Sequence, residues 1–298
     1  MKRNLLLCVD AFGTLFRPRS PIAEQYGSVA RGMGVKISDD EVAKSFKTAF
    51  KETSKVYPNY GKKTDMGARQ WWTEVINKTF TPHHPGPLPP TLTSTLINRF
   101  WCKDGYTLFP DTSYLRKLAL SPQRQKDASL RLVIGVITNS DDRVPDVLTS
   151  LGLRVNGLRY NSTISDNTKD GRGQETQDID FCIMSYDVGV EKPSPQIFSA
   201  AVETLASLLA SEGNTYNKED WALIYVGDEV GKDAKGAVNA GWDAVLLDRG
   251  GEVDTAYEGD AAGVEGWIEV EGKKVPVLEG FGALGEYGGH ELLKVEEV

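Results

Sequence analysis

Two polar clusters near the start and middle of the chain could do chemistry, because each follows an apolar run typical of a buried strand. Asp10 follows the run at residues 5–9, and a carboxylate held at that point could act as a nucleophile. Thr138 and Asn139 follow the run at residues 132–137, where a helical pattern starts. The free backbone N–H groups at the start of a helix suit an anion. These residues therefore predict a nucleophile beside an anion-binding turn.

Two later clusters add a cation and an acidic pair. Lys192 lies within residues 189–195, directly before a proline that can start a helix. Asp228 and Asp233 follow the apolar run at residues 222–226, and their spacing lets both carboxylates converge on a divalent cation. The four clusters would form one pocket if their strands lie in one sheet.

The apolar runs predict such a sheet. Residues 181–184 and 244–247 form further runs, and all of these runs are apolar on both faces, as parallel strands are when helices cover both sides. Helical patterns lie between most of them, at residues 142–151, 195–210 and 234–240. This alternation predicts an α/β fold with a doubly wound, Rossmann-like parallel sheet as its core. Ligands bind such sheets outside the C-terminal ends of the strands, where the four clusters would lie.

The interval between the first two predicted strands is much longer than a single crossover connection needs. That interval contains helical patterns at residues 22–33, 39–56, 67–80 and 91–101, which predict an inserted helical cap. We expect residues 1–16 and 110–298 to form the α/β core and residues 17–109 to form the cap. Residues 161–178 are too polar to bury a core and predict a mobile loop. The segment after residue 249 predicts a short hairpin at residues 266–277 and no chemistry.

Composition excludes several classes of function. A formal net charge of −8 at pH 7 argues against nucleic-acid binding, because phosphate contacts need Lys and Arg. No apolar run approaches the ~20 residues of a membrane-spanning helix. The first core strand starts at Leu5, so removal of a signal peptide would destroy it. The three scattered cysteines indicate buried thiols in a reducing compartment. We expect a cytoplasmic protein, with the nucleus as the alternative compartment and the oligomeric state open.

The order of the four clusters resembles the haloacid dehalogenase-like hydrolase superfamily, in its helical-cap branch. Within the cap, Tyr57-Pro58-Asn59-Tyr60-Gly61 and the later run Ala68-Arg69-Gln70-Trp71-Trp72-Thr73-Glu74-Val75-Ile76 look like the eukaryotic haloacid dehalogenase-like hydrolase domain-containing proteins of the third type. We interpret Trp71 and Trp72 as cap core in preference to substrate-facing residues.

The resemblance implies a role for each cluster. Asp10 would be the nucleophile, and Thr138 would bind the transferring group together with the backbone of Asn139. Lys192 would hold Asp10, contact the substrate and offset the charge that develops during transfer. The implied substrate is a small phosphorylated molecule.

The resemblance also implies a Mg²⁺ site and reveals a departure from the family pattern. Asp10, the backbone carbonyl of Phe12, Asp228 and Asp233 would hold the ion, the last directly or through water. In phosphatases of this superfamily the residue at the position of Phe12 is an Asp that protonates the leaving oxygen and then activates water. General acid–base catalysis typically contributes about 10²–10⁴-fold. Its loss predicts a slow phosphatase or no phosphatase activity, unless a neighbour such as Glu229 substitutes.

Three functions remain open at this point. The first is weak or specialised Mg²⁺-dependent hydrolysis of a phosphate ester through an aspartyl intermediate. The second is 2-haloacid dehalogenation, since halide needs no proton to leave and such enzymes tolerate an aromatic residue at the position of Phe12. The third is a non-catalytic binding or scaffold protein that retains the pocket.

Overall fold

The computed structural model describes residues 4–121, 130–162, 176–255 and 264–285, and residue 293. Contacts divide the chain into two compact units. The α/β unit comprises Met1–Phe16, Leu108–Asn139 and Leu153–Val298, and the helical unit comprises Arg17–Thr107 and Ser140–Gly152. Most of the polar loop predicted at residues 161–178 lies outside the described residues.

The α/β unit is built on a seven-stranded sheet of order β5-β4-β1-β6-β7-β9-β8. All neighbours in it are parallel except β8 and β9, which form an antiparallel pair. A separate two-stranded sheet pairs β2 with β3. The strands are β1 (Asn4–Val9), β2 (Phe16–Pro18), β3 (Tyr106–Leu108), β4 (Leu132–Thr138), β5 (Phe181–Met184), β6 (Trp221–Gly227), β7 (Asp243–Leu247), β8 (Val264–Val270) and β9 (Lys273–Leu278).

The central position of β1 brings the polar clusters together. Its residues Leu5 to Val9 are fully buried, as expected for a parallel strand that is covered on both faces. In the register of the sheet, Val9 lies opposite Val136 of β4 on one side and Val226 of β6 on the other. All three strands therefore end at the same edge, and the predicted doubly wound α/β sheet is confirmed.

Helices pack on this sheet and a hairpin extends it. The described helices of this unit are α5 (Ser113–Leu120), α7 (Ser185–Val188), α8 (Pro195–Ser211) and α9 (Lys235–Asn239), in the order of the chain. Phe198 of α8 packs edge-on against Tyr225 and Trp242, so the apolar face of this helix covers the sheet. The predicted hairpin is confirmed as β8–β9, and β9 pairs in parallel with β7.

The helical unit contains α1 (Ile22–Gly32), α2 (Asp39–Val56), α3 (Ala68–Phe80), α4 (Leu92–Arg99) and α6 (Val144–Ser150). Ser38 caps α2 and forms a capping box with Glu41, which satisfies N–H groups at the start of the helix. Trp71 and Trp72 of α3 are buried, in agreement with their interpretation as core residues.

Residues Ser140–Gly152 group with the helical unit although the expected core, 110–298, includes them. The indole Nε1 of Trp72 donates a hydrogen bond to Oδ2 of Asp141 at 2.6 Å. The guanidinium of Arg143 lies 4.4 Å from the centre of the same ring. These polar and cation–π contacts join the segment after β4 to α3. Among the described helices, none combines the length and the apolar character that a membrane crossing requires.

Candidate active site

Asp10 lies at the end of β1 with its carboxylate buried. The backbone N–H of Asp10 donates to the carbonyl of Val226 at 2.9 Å, which extends the β1–β6 pairing by one residue. Its Oδ1 accepts a hydrogen bond from Nζ of Lys192 at 2.8 Å. Only 6% of the residue is exposed, so the carboxylate is shielded from bulk water. A carboxylate with this placement has a fixed orientation.

Lys192 is the centre of a buried polar network. Its ammonium donates to Oδ1 of Asp10, to Oδ1 of Asp233 at 2.7 Å and to the hydroxyl of Tyr225 at 2.7 Å. Three acceptors satisfy all three of its donors. Burial lowers the pKa of Lys192, but Asp10 and Asp233 raise it more, so the net shift is upward and the ammonium stays charged.

Asn139 holds the backbone of Lys192 with its side chain. Its Oδ1 accepts from the N–H of Lys192 at 2.7 Å, and its Nδ2 donates to the carbonyl of the same residue at 3.0 Å. The sequence interpretation assigned only the backbone of Asn139 to the site. The structure adds these two side-chain hydrogen bonds, which join the C-terminal end of β4 to the loop after α7. Thr138, the last residue of β4, is buried beside it in the chain.

Tyr225 belongs to the site, although the sequence interpretation did not include it because it lies within an apolar strand. Its hydroxyl accepts from Lys192 and can donate to the carbonyl of Ile137 at 2.8 Å or to Oδ1 of Asp233 at 3.2 Å. Burial, followed by the charge of Asp233, holds the pKa of Tyr225 well above its usual value, so the phenol stays protonated. The sequence does contain one indication of this role. Tyr225 lies in an otherwise apolar, buried run, where its hydroxyl needs a hydrogen-bond partner.

Three carboxylates converge where the ends of β1 and β6 meet. Oxygens of Asp10, Asp228 and Asp233 all lie within 4.8 Å of one another. Asp233 lies in a single turn of π-helix, Val230–Ala234, and its Oδ2 accepts from the N–H of Glu229 at 2.9 Å. This donor set fits a hard divalent cation, which prefers oxygen ligands.

The carboxylates affect one another's protonation. Burial raises the pKa of Asp10 to about 6, with Lys192 opposing the shift and Asp233 adding to it. Burial also raises the pKa of Asp228, against the hydrogen bond from Thr14. The raised pKa values of Asp10 and Asp228 mean that a nearby positive charge would stabilise their ionised forms. The ammonium of Lys192 pairs with Asp10 and with Asp233.

Two glycines allow the carboxylates to approach the backbone. Gly13 has a φ of +81°, and a Cβ built on it would lie 2.1 Å from Oδ2 of Asp228. A Cβ on Gly227 would lie 2.3 Å from Cγ of Asp233. Neither position accepts a side chain without displacement of an acidic residue, which explains the glycine within each cluster.

Substitution of Gly13 by alanine is expected to destabilise the fold by about 1–3 kcal/mol and to displace Asp228, because the new Cβ adds a clash to an unfavourable backbone conformation. Gly241→Ala is the matched control, since Gly241 also has a φ of +81° but has open space around its Cβ position. Urea denaturation of both variants separates the two effects. Equal losses of stability would contradict the predicted clash with Asp228.

Comparison with known proteins identifies the family of the chain. The family model described as haloacid dehalogenase-like hydrolase matches residues 6–241. The chain belongs to the haloacid dehalogenase-like hydrolase family. A hydrolase of Schizosaccharomyces pombe is 31% identical over 243 residues, which cover 82% of this chain and 90% of that protein. Haloacid dehalogenase-like hydrolase domain-containing protein 3 of Danio rerio is 27% identical over 243 residues, which cover 80% of this chain and 83% of that protein. The resemblance inferred from the motifs is therefore confirmed.

A solved structure gives the same picture of the fold. The HAD phosphatase from Thermococcus onnurineus matches with a TM-score of 0.51 and 19% identity, over 97% of this chain and 99% of that one. At this identity the similarity concerns the fold alone. The sheet and the helices around it are thus those of a haloacid dehalogenase-like hydrolase.

Phe12 lies two residues after Asp10, at the position where the resemblance implies an acid in phosphatases of the superfamily. Its ring lies 4.5 Å from the ring of Phe16, tilted by 60°. The phenyl group has no titratable proton. Glu229, the suggested substitute, is half exposed and its carboxylate pairs with Lys232 at 2.9 Å. Its backbone N–H, and not its carboxylate, contacts the acidic cluster, so the structure gives Glu229 a supporting contact to Asp233.

Proposed function

We propose that the chain is a slow Mg²⁺-dependent phosphatase that transfers the phosphoryl group of a small phosphate ester to Asp10. The observation that supports this most strongly is the arrangement around Lys192, which holds Asp10 and Asp233 together beside Asp228. An oriented carboxylate, a fixed ammonium and a triangle of oxygen ligands are the parts that phosphoryl transfer to an aspartate requires. The helical unit would serve as the inserted cap that the family resemblance implies.

In the proposed reaction, a carboxylate oxygen of Asp10 attacks phosphorus, and the bond between phosphorus and the ester oxygen breaks. The released oxygen takes its proton from water, because Phe12 has none to give. Water then attacks the phosphorus of the aspartyl phosphate, which releases inorganic phosphate and restores the Asp10 carboxylate. Lys192 stays protonated and offsets negative charge near Asp10 throughout. Thr138 would bind an oxygen of the phosphoryl group.

Asp10, the backbone carbonyl of Phe12, Asp228 and Asp233 would hold the Mg²⁺. When bound, the ion would offset the charge on the transferring oxygens. The choice of Mg²⁺ rests on the oxygen-only donor set, which suits this ion.

Turnover of an activated aryl phosphate with Mg²⁺ tests this proposal. We expect the wild-type protein to release phosphate at a slow rate that EDTA abolishes, and Asp10→Asn to show only the uncatalysed background. We also expect an alkyl phosphate to react much more slowly than the aryl phosphate, because a poor leaving group depends more on a general acid. Equal rates for wild type and Asp10→Asn would contradict the proposal.

Dehalogenation is the second candidate, and Phe12 is the observation that favours it. Halide leaves without a proton, so the absence of an acid at this position would cost nothing. The cluster of Asp10, Asp228 and Asp233 argues against it, since haloacid dehalogenases dispense with metal. Halide release from a 2-haloacid in the presence of EDTA would support this candidate. Background rates in both assays would favour a binding or scaffold role.

A further inference from the structure

Arg249, two residues after β7, contacts an acidic side chain and two aromatic rings within the α/β unit. Its Nη1 donates to both carboxylate oxygens of Asp111, at 2.9 and 3.0 Å. Its guanidinium lies 4.0 Å from the centre of the Phe109 ring and 5.7 Å from that of Phe281. Its side chain is only 18% exposed. Such a planar cation between an acid and two aromatic rings has little freedom to move.

A second nitrogen of this guanidinium reaches the loop after β1. Nη2 of Arg249 donates to the backbone carbonyl of Thr14 at 2.9 Å. Thr14 is fully buried, and its hydroxyl donates to Oδ1 of Asp228 at 2.8 Å. A chain of hydrogen bonds therefore runs from Arg249 through Thr14 to a carboxylate of the acidic cluster. Oδ2, the second oxygen of the Asp228 carboxylate, is the atom that lies closest to the Cβ position of Gly13.

The segment after residue 249, to which the sequence assigned no chemistry, also helps to hold Asp111, the partner of Arg249. The backbone N–H of Phe281, just past β9, donates to Oδ2 of Asp111 at 2.8 Å. Asp111 is thus fixed from one side by the C-terminal segment and from the other by Arg249. The neighbouring residue Thr112 donates through its hydroxyl to the carbonyl of Leu15 at 2.9 Å, so the loop is held at two successive carbonyls.

We infer that Thr14 and Arg249 are positioning residues for the metal ligand Asp228, and that Arg249 acts through Thr14. The inference rests on the divalent-metal site proposed above. The hydroxyl of Thr14 selects one rotational setting of the Asp228 carboxylate, and Arg249 fixes the backbone that carries this hydroxyl. Outer contacts of this kind typically change metal affinity by about 10–100-fold when they are removed.

Binding of Mn²⁺, followed by electron paramagnetic resonance of the free ion, tests the inference without substrate. We expect Thr14→Val to weaken binding by about 10-fold or more and Thr14→Ser, which keeps the hydroxyl, to restore most of the affinity. Arg249→Met should weaken binding as well. The double variant should bind about as weakly as Thr14→Val alone, because residues in one network do not contribute additively.

Arg116→Met is the matched control, since Arg116 also pairs with a buried aspartate, Asp178, in the same unit. It should lower thermal stability and leave Mn²⁺ affinity unchanged. If Arg249→Met does not fold, Arg249→Lys replaces it, because lysine keeps the charge but not the planar fork.

The outcomes separate the inference from the proposal beneath it. The Asp228→Asn variant lacks a proposed metal ligand and is the reference for weak binding. If the wild type binds Mn²⁺ no better than this variant, both the metal site and the inference are overturned. Strong binding by wild type and equally strong binding by Thr14→Val would overturn the inference alone. Equal weakness of the Ser and Val variants would also overturn it, since the hydroxyl would then be irrelevant.

Discussion

Replacement of Phe12 by aspartate is expected to raise phosphatase turnover by about 10²–10⁴-fold, the usual contribution of a general acid–base group. The other groups that the proposed reaction needs are present: Lys192 orients Asp10, and oxygens of three carboxylates lie within 4.8 Å of one another. In the proposed reaction, no side chain transfers a proton to the leaving oxygen. The gain should therefore be greatest for an alkyl phosphate, whose leaving group needs the proton most. Measurement of kcat/KM for alkyl and aryl phosphates on both proteins checks this.

Phe12→Asn is the control for this prediction. Asparagine has nearly the shape of aspartate but cannot donate or accept a catalytic proton, so it should leave turnover low. Both variants lose the contact with the Phe16 ring, which is worth about 0.5–1.5 kcal/mol beyond its buried area, and they should lose similar stability. If Phe12→Asp and Phe12→Asn turn over phosphate esters at the same rate, the lack of a general acid does not limit the turnover of this protein.

Replacement of Lys192 by methionine is expected to lower the free energy of unfolding by about 3–5 kcal/mol and to abolish turnover. Methionine fills much of the space but leaves Asp10 and Asp233 buried without their shared cation. Removal of one partner of a buried ion pair costs more than the pair contributes, because the other partner stays desolvated. Urea denaturation near pH 7 measures the loss of stability.

The pH dependence of this loss follows from the carboxyl group of Asp10. Without Lys192, the pKa of Asp10 should rise above the value of about 6 that it has beside the lysine, because Lys192 opposes the shift. A carboxyl group whose folded pKa lies above its unfolded pKa destabilises the fold when it is ionised. The penalty of the substitution should therefore be larger at pH 7 than at pH 5, and it should shrink as the pH falls through 6.

Lys232→Met is the matched control. Lys232 pairs with Glu229 on the surface, with about half of each side chain exposed. Exposed pairs of this kind contribute about 0–1 kcal/mol, so this variant should unfold almost like the wild type. A loss for Lys192→Met as small as that of the control would mean that the buried network does not stabilise the fold.

Much of the fold could be predicted from the sequence because its pattern is local. The runs that became β1, β4, β5, β6 and β7 are apolar on both faces, and this property alone indicates buried parallel strands. Asp10, Thr138 and Asp228 each lie at or directly after the end of a strand. Since parallel strands deliver their C-terminal ends to one edge, their convergence followed from position in the chain.

The supporting contacts could not be predicted, because they join residues that are far apart in the chain. Tyr225 sits in a strand and has the pattern of a core residue, and two of its partners come from β4 and from the loop after α7. Arg249 contacts the carbonyl of Thr14 across 235 positions of sequence. No periodicity or spacing encodes such a pair.

The sequence by itself therefore determined the family, the class of fold and the chemical groups at the strand ends, because apolar period and residue type are properties of short segments. The tertiary structure alone decided how these groups are held. It placed Lys192 between two carboxylates, turned the side chain of Asn139 towards the Lys192 backbone and joined the C-terminal segment to the loop after β1. These arrangements depend on sheet order and on long-range packing, which exist only once the whole chain has folded.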